Sequence, residues 1–229
     1  FFLHPHAATP DPLWSRGLGD VYKRQETPGL LVGRDQPMMG LRGTSHVELF
    51  FDDVKLGPEA LLGIEGEGFK LALETLGRVR LAQIGARAVG KATRILDLTV
   101  DYARQRSQFG KSIDQFQMIQ QMLADSAIEI NSARLALLQT AWEADHDRNV
   151  SARISMIKVQ AAETLCRVAD RAVQIYGGLG YCRDLPIERY YRDARIYRIY
   201  DGTSEIHRMV VARAISKGDL NLYNLNFAS

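Results

Sequence analysis

Ser151-Ala-Arg-Ile-Ser-Met-Ile-Lys-Val-Gln-Ala-Ala-Glu-Thr-Leu-Cys-Arg-Val-Ala-Asp-Arg-Ala-Val-Gln-Ile-Tyr-Gly-Gly-Leu-Gly180 reads as one long helix followed by its stop. Ile154, Ile157, Ala161, Leu165, Val168, Ala172 and Ile175 recur at spacings of three and four, which lines them along one helical face. Alanine is frequent between them, and small side chains permit close packing. Gly177-Gly178-Leu179-Gly180 ends the run as expected where a helix C-terminus needs positive φ.

The same period extends in both directions. Upstream, Phe69, Leu73, Leu76, Ile84, Ala88, Ile95, Leu98 and Tyr102 follow one long helical pattern, which Gln105–Ser112 interrupts at Gly110. Asp114 opens a second long helix with Phe116, Ile119, Leu123, Ala127 and Ile130 on one face and Trp142 as a core residue near its end. A polar turn over Asp145–Asn149 leads into the quoted stretch. Downstream, Pro186 suits the first turn of a helix running through Tyr197. A last helix covers about Thr203 to Lys217, with Gly218 at its end. Three long helices and two shorter ones predict a mainly α fold, an antiparallel four-helix bundle with an additional C-terminal helix.

Before the bundle, Gly29–Val32 and Val47–Phe51 read as short strands. Two or three strands cannot bury a two-sided core alone, so they read as the remnant of a larger β domain. The expected division is residues 26–62 for that remnant, 63–218 for the helical domain and 219–229 for a tail. Residues 1–25 lack periodicity and the pattern of a secretory signal, and read as foreign to the fold.

The 229 residues carry a net charge of +2, which offers no case for nucleic acid or an anionic membrane as partner. No apolar run approaches the ~20 residues that span a bilayer. Cys166 and Cys182 have no metal-ligand spacing and read as inert thiols, the histidines do not cluster, and no metal is expected.

One carboxylate stands apart. Asp201 occupies the break between the last two helices, beside Gly202, Thr203 and Ser204. It can cap the following helix, a role Thr203 and Ser204 can also fill, or it can serve as a general base on a rigid element.

The chain resembles the acyl-CoA dehydrogenase family. The resemblance rests on Leu41-Arg-Gly-Thr-Ser-His-Val-Glu-Leu-Phe-Phe-Asp-Asp-Val54, Ala103-Arg-Gln-Arg-Ser-Gln-Phe-Gly-Lys111, Gln117-Met-Ile119 with Leu123-Ala-Asp125, and Ala172-Val-Gln-Ile-Tyr-Gly-Gly-Leu-Gly-Tyr181. Last comes Arg192-Asp-Ala-Arg-Ile-Tyr-Arg-Ile-Tyr-Asp-Gly-Thr-Ser-Glu-Ile-His-Arg208. These arrive in the family's order from about Thr27 to Lys217. The resemblance implies the end of a middle β domain plus a complete C-terminal helical domain, so the segment is expected to be an incomplete catalyst.

It further implies FAD as cofactor. Arg106 and Phe109 match residues that reach across a subunit interface to the FAD pyrophosphate and adenosine. Gln174 and Gly178 match positions at the adenosine end of a neighbouring subunit's FAD. Thr203 and Glu205 match cofactor contacts that follow the base. Such contacts in trans imply a homodimer or homotetramer. By resemblance, Asp201 removes the α-proton of an acyl-CoA while hydride leaves the β-carbon for flavin N5, and electrons pass to an electron-transfer flavoprotein. The expected compartment is a bacterial cytoplasm or the mitochondrial matrix.

The commonest members carry glutamate where this chain has Asp201. The shorter side chain retracts the carboxylate by about one C–C bond, ~1.5 Å. Two other readings therefore stay open: a flavin oxidase of the same fold acting on a nitroalkane or other non-CoA substrate, and a non-catalytic helical oligomerisation fragment. A subfamily that places its base on the first helix has no match, because Leu76–Leu81 offers Arg78 and Arg80 but no acid and Glu74 comes too early. Arg80 reads as a core-edge arginine or an aid to positioning. His207 reads as a surface residue, and Tyr190 with Tyr191 as bundle packing.

Overall fold

The computed structural model describes residues 27–146 and 148–220. The expectations for residues 1–25 and for most of the tail lie outside the described residues, as do the side chains of Glu74 and Arg78. The chain divides into two compact units, one ending at Phe69 and one beginning at Lys70.

In the first unit, strand β1 (Leu30–Asp35) pairs antiparallel with β2 (Val47–Phe51), Leu30 opposite Phe51 and Val32 opposite Leu49. The register is irregular between Val32 and Asp35. Leu31, Phe50 and Phe51 stay exposed because a two-stranded ribbon has no second layer of its own.

The second unit is helical. Helix α1 (Gly68–Val79) passes into a π-helical stretch (Arg80–Ala86) and then into α2 (Arg87–Gln105). The single long helix expected from Phe69 to Tyr102 is thus broken by one wider segment. At Gly85 within it, a Cβ would sit 2.9 Å from Ile157 Cγ2 and 2.9 Å from Leu137 Cδ1, so two neighbouring helices press directly on the backbone.

A short hairpin of β3 (Ser107–Gln108) and β4 (Lys111–Ser112) turns the chain, and a 3-10 turn (Ile113–Gln115) leads to α3 (Gln117–Asp145). Helix α4 (Ser151–Tyr176) follows, then the one-turn α5 (Gly178–Tyr181), α6 (Ile187–Arg195), a 3-10 turn (Ile196–Arg198) and α7 (Ser204–Lys217). Gly177 has φ 60, the conformation expected at the end of α4.

Helix α4 is the axis of the unit and packs against α2, α3, α6 and α7. Ile157, Ala161, Leu165, Val168 and Ala172 are buried as their spacing predicted. Each fully buried Leu or Ile side chain contributes about 1.5–3 kcal/mol. Ala88, Ala92, Ala162 and Ala169 fill the contacts between axes, where larger side chains would hold the helices apart. Tyr102 and Tyr176 stack at 4.0 Å, and the Tyr176 hydroxyl donates to the Leu98 carbonyl at 2.7 Å, which ties α2 to the end of α4.

Trp142 is 39% exposed rather than a core residue. It lies on the outer side of α3, against the His146 ring and under the Arg148 guanidinium. The period placed it on a helix but did not say which flank of the stripe had a neighbour. Tyr190 packs against the core as expected, while Tyr191 stands partly in solvent.

Candidate active site at the Asp201 turn

Asp201 sits in a turn between the 3-10 segment and α7, in the left-handed region with φ 53, and is followed by Gly202 at φ 95. The cap of α7 belongs to Thr203, whose hydroxyl oxygen accepts from the Ile206 N–H at 3.3 Å. Asp201 is therefore not the cap. Its carboxylate takes no hydrogen bond among the described residues, while its main-chain carbonyl takes two. Arg80 Nε donates to that oxygen at 2.8 Å and His207 Nε2 lies 3.1 Å from it. A non-glycine residue in this conformation stores about 1–3 kcal/mol and persists only where its surroundings hold it.

The surroundings come from three elements. Arg80 opens the π-helical stretch, Ser155 and Lys158 face the turn from α4, and His207 comes from the second turn of α7. His207 is 3% exposed, not a surface residue. Its Nδ1 lies 3.0 Å from Ser155 Oγ. Helical period alone put His207 on the outer face of α7. It is buried because the turn before α7 and helix α4 close over that face. Burial, with the positive charges of Arg80 and Lys158, holds the imidazole below its ordinary pKa, against the opposing pull of its bond to the Asp201 carbonyl and of the Asp201 carboxylate.

Lys158 was not singled out in the sequence, where it is one lysine in a helical stripe. It is 0% exposed, and its Nζ has no hydrogen-bond partner. Burial pushes its pKa down to about 8, reinforced by Arg80, while Asp201, Glu163 and Glu205 pull the other way. A hidden ammonium with no hydrogen-bond partner, within reach of the Asp201 charge, points to a site, and only the packing of α4 reveals it. Glu205 is exposed, and its carboxyl is held below the ordinary range by its own backbone N–H and then by the Thr203 hydroxyl. A cavity of about 560 Å³ adjoins the turn, lined by Leu73, Arg80, Ser155, Gly202, Ile206 and His207 among others.

The remaining predicted residues gather elsewhere. Arg106 caps α2 at the start of the β3–β4 hairpin and is exposed. Phe109, at the hairpin tip with φ 52, is 93% exposed and packs edge-to-face with Phe116, at 6.2 Å between ring centroids. Gln174 and Gly178 are exposed at the C-terminal end of α4 and the start of α5. Ala103, Ile113 and Ile175 form a small core beneath hairpin and helix end, which brings both pairs to one end of the bundle. An open apolar hollow of about 740 Å³ runs along Phe109, Phe116, Met118, Ile119 and Ile175.

The structure thus makes two groups of the predicted residues: Asp201, Thr203 and Glu205 in one, Arg106, Phe109, Gln174 and Gly178 in the other. Along α4, Ser155 and Gln174 are nineteen residues apart, roughly 29 Å at about 1.5 Å per residue. The second group fits a dinucleotide end by chemistry: a free guanidinium for phosphate, a bare aromatic ring, an apolar hollow and backbone without a side chain at Gly178. Among the described residues no group of three or more His, Cys, Asp or Glu is placed to hold a metal, and no helix is long and apolar enough to cross a membrane.

Residues 66–216 match the family model described as acyl-CoA dehydrogenase, C-terminal domain. The chain is 41% identical over 202 residues to acryloyl-CoA reductase (NADH) of Anaerotignum propionicum, covering 88% of this chain and 51% of that protein. It is 39% identical over 206 residues to the mitochondrial short-chain specific acyl-CoA dehydrogenase of Homo sapiens, covering 90% and 50%. Butyryl-CoA dehydrogenase from Megasphaera elsdenii superposes with a TM-score of 0.80 at 38% identity, covering 83% of this chain and 50% of that one. The chain spans about half the length of the relatives it matches. Motifs, helical fold and matched region agree, and the chain belongs to the acyl-CoA dehydrogenase family.

Proposed function

We propose that this chain supplies the base and part of the FAD site of an FAD-dependent acyl-CoA dehydrogenase. The observation that carries the reading is the Asp201 turn: a carboxylate free of hydrogen-bond partners among the described residues, on a backbone carbonyl held by Arg80 and His207, within reach of the buried Lys158 charge. Asp201 takes the α-proton of the acyl-CoA and becomes a carboxylic acid as the Cα–H electron pair moves into the new double bond. FAD, when bound, supplies the acceptor for the β-hydride. Lys158 is buried close enough to Asp201 for the carboxylate's charge to act on its ammonium, so the base stands in a field set by the chain itself.

Thr203 and Glu205 lie within four residues of the base and are assigned to the cofactor of the same subunit. Arg106, Phe109, Gln174 and Gly178 are assigned to the pyrophosphate and adenosine end of a partner subunit's FAD. The separation of the two groups along α4 supports that division and with it a homodimer or homotetramer. Electron-transfer flavoprotein is the proposed electron acceptor, and a bacterial cytoplasm or the mitochondrial matrix the proposed compartment. The matched relatives carry acryloyl, short-chain and butyryl names, so butyryl-CoA is the first substrate to test.

The test is anaerobic flavin bleaching in the full-length protein. Wild type is expected to bleach with butyryl-CoA. Asp201→Asn is expected to keep FAD and slow bleaching by about 10²–10⁴-fold, the usual range for a general base. Bleaching at the wild-type rate in Asp201→Asn would sink the base assignment. Hydrogen peroxide release with a nitroalkane and no bleaching by acyl-CoA would instead establish the oxidase reading that the shorter aspartate leaves open.

A further inference from the structure

The Asp201 turn is held through its main chain, and the histidine in that grip has no part in the chemistry above. A carbonyl oxygen only accepts hydrogen bonds, so at 3.1 Å His207 Nε2 must carry the ring proton and donate it to Asp201. Nδ1 is then free to accept the Ser155 hydroxyl proton across 3.0 Å. The ring reaches the carbonyl because residue 202 has no side chain: a Cβ there would lie 2.9 Å from Nε2. Ser155, Gly202 and Arg80 thus form a slot of fixed width around the imidazole.

We propose that His207 is a positioning residue for Asp201: as the Nε2–H tautomer selected by Ser155, it clamps the Asp201 carbonyl together with Arg80 and so fixes the direction of the carboxylate. The inference rests on the base assignment for Asp201. The clamp is needed because Asp201 sits in the left-handed region without a hydrogen bond from its own side chain to support it, so the turn depends on its surroundings. Released, the peptide relaxes and the carboxylate swings with it, and a displacement of ~1 Å can cost ~100-fold in rate. Arg80 alone is a weak restraint, since its long side chain can follow the carbonyl. The imidazole has two torsions and is locked at its far side by Ser155.

The charged groups facing the ring are Arg80 from the π-helical stretch, Lys158 from α4, Asp201 from the turn, and Arg148, which lines the same cavity. Three are cationic. A second ring proton would add a further positive charge among them and turn Nδ1 into a donor against Ser155, whose hydroxyl would have to rotate. The Nε2–H bond to the carbonyl survives that second proton; what is lost as pH falls is the Ser155 lock on the far side of the ring.

The experiment uses the full-length flavoprotein, 15N-labelled at histidine, with Asp201→Asn, His207→Ala and His207→Gln beside wild type. The ring nitrogens of His207 at pH 7 are expected to report the Nε2–H tautomer. His207→Ala is expected to slow flavin reduction by butyryl-CoA about 10–100-fold while FAD content stays unchanged. His207→Gln keeps a donor for the carbonyl and an acceptor for Ser155 without titrating. It should recover most of the rate, and its pH profile should lack the contribution that His207 makes below neutrality. An Nδ1–H tautomer, or wild-type flavin reduction in His207→Ala while Asp201→Asn is inactive, would overturn the clamp. Equal loss in Ala and Gln variants, with the shape of the pH profile the same as in wild type, would overturn it too, because the ring would then be mere packing. Wild-type flavin reduction in Asp201→Asn would remove the base assignment alone, and the tautomer would still decide whether the ring grips the turn.

Discussion

At the Ser155 end of α4 the candidate site residues close on one another, while at the Gln174 end they stand clear above a small core. Around Asp201, Lys158 and His207 are buried, Arg80 and Ser155 are committed to the turn and to the imidazole, and the Asp201 carboxylate and the Lys158 ammonium are left without hydrogen-bond partners among the described residues. Around the hairpin, Arg106 is exposed and the Phe109 ring projects almost entirely into solvent from a left-handed tip. The first region carries a cost within the chain, an unpaired ammonium and a left-handed turn, which the proposed base would use. The second carries an exposed apolar ring, which the proposed contact with a partner's FAD would cover. A base needs internal preorganisation. A contact made for a partner's cofactor needs reach.

Four perturbations press on that contrast, in order of expected size. Lys158→Met removes the buried charge. The folded-state pKa of Lys158 is about 8, below its ordinary 10.5. The stability linked to this group is therefore fully present above pH 10.5 and lost as pH falls through about 8. At pH 7 the variant should be more stable than wild type by on the order of 3 kcal/mol in denaturant unfolding. The difference should shrink between pH 8 and 10.5. A constant difference across that range would mean the ammonium is hydrated.

Gly202→Ala comes next. The new Cβ would meet the His207 ring at 2.9 Å in a conformation with φ 95, so a loss of about 1–3 kcal/mol is expected in thermal unfolding. A neutral outcome would show that the turn is loosely held. Arg106→Ala, at the open end, should leave unfolding unchanged and weaken FAD binding about tenfold, the share of one charge-assisted contact. Full flavin retention at low concentration would break the assignment of that end to a cofactor. Thr203→Ala removes the cap of α7 and should cost ~1 kcal/mol. It tests whether the helix after the turn is anchored by its cap or only by packing.

Below neutrality, His207 adds its own slope. Its folded pKa is depressed, so its stability is present above about pH 6.5, the ordinary value, and is lost as pH falls toward the folded value. His207→Gln should flatten that part of the stability profile.

Helical period placed α3, α4, α6 and α7 and the buried faces of Ile157, Leu165 and Val168, because each depends on neighbours within four residues. Motif order placed Asp201, Arg106 and Phe109 in one family, and Gly177 marked the end of α4 from its need for positive φ. Other features had no local signal. The π-helical stretch depends on how Gly85 meets Ile157 and Leu137. The burial of His207 and the exposure of Trp142 depend on which helix flank has a neighbour, which a single stripe does not encode. Lys158 looks like any lysine until α2, α3 and α7 enclose the helix that carries it. The grip of Arg80 on Asp201 spans 121 positions of chain. Local pattern determined the elements and named the carboxylate; only the packing of those elements decided what surrounds it, because burial and unpaired charge are properties of neighbours brought together by the fold.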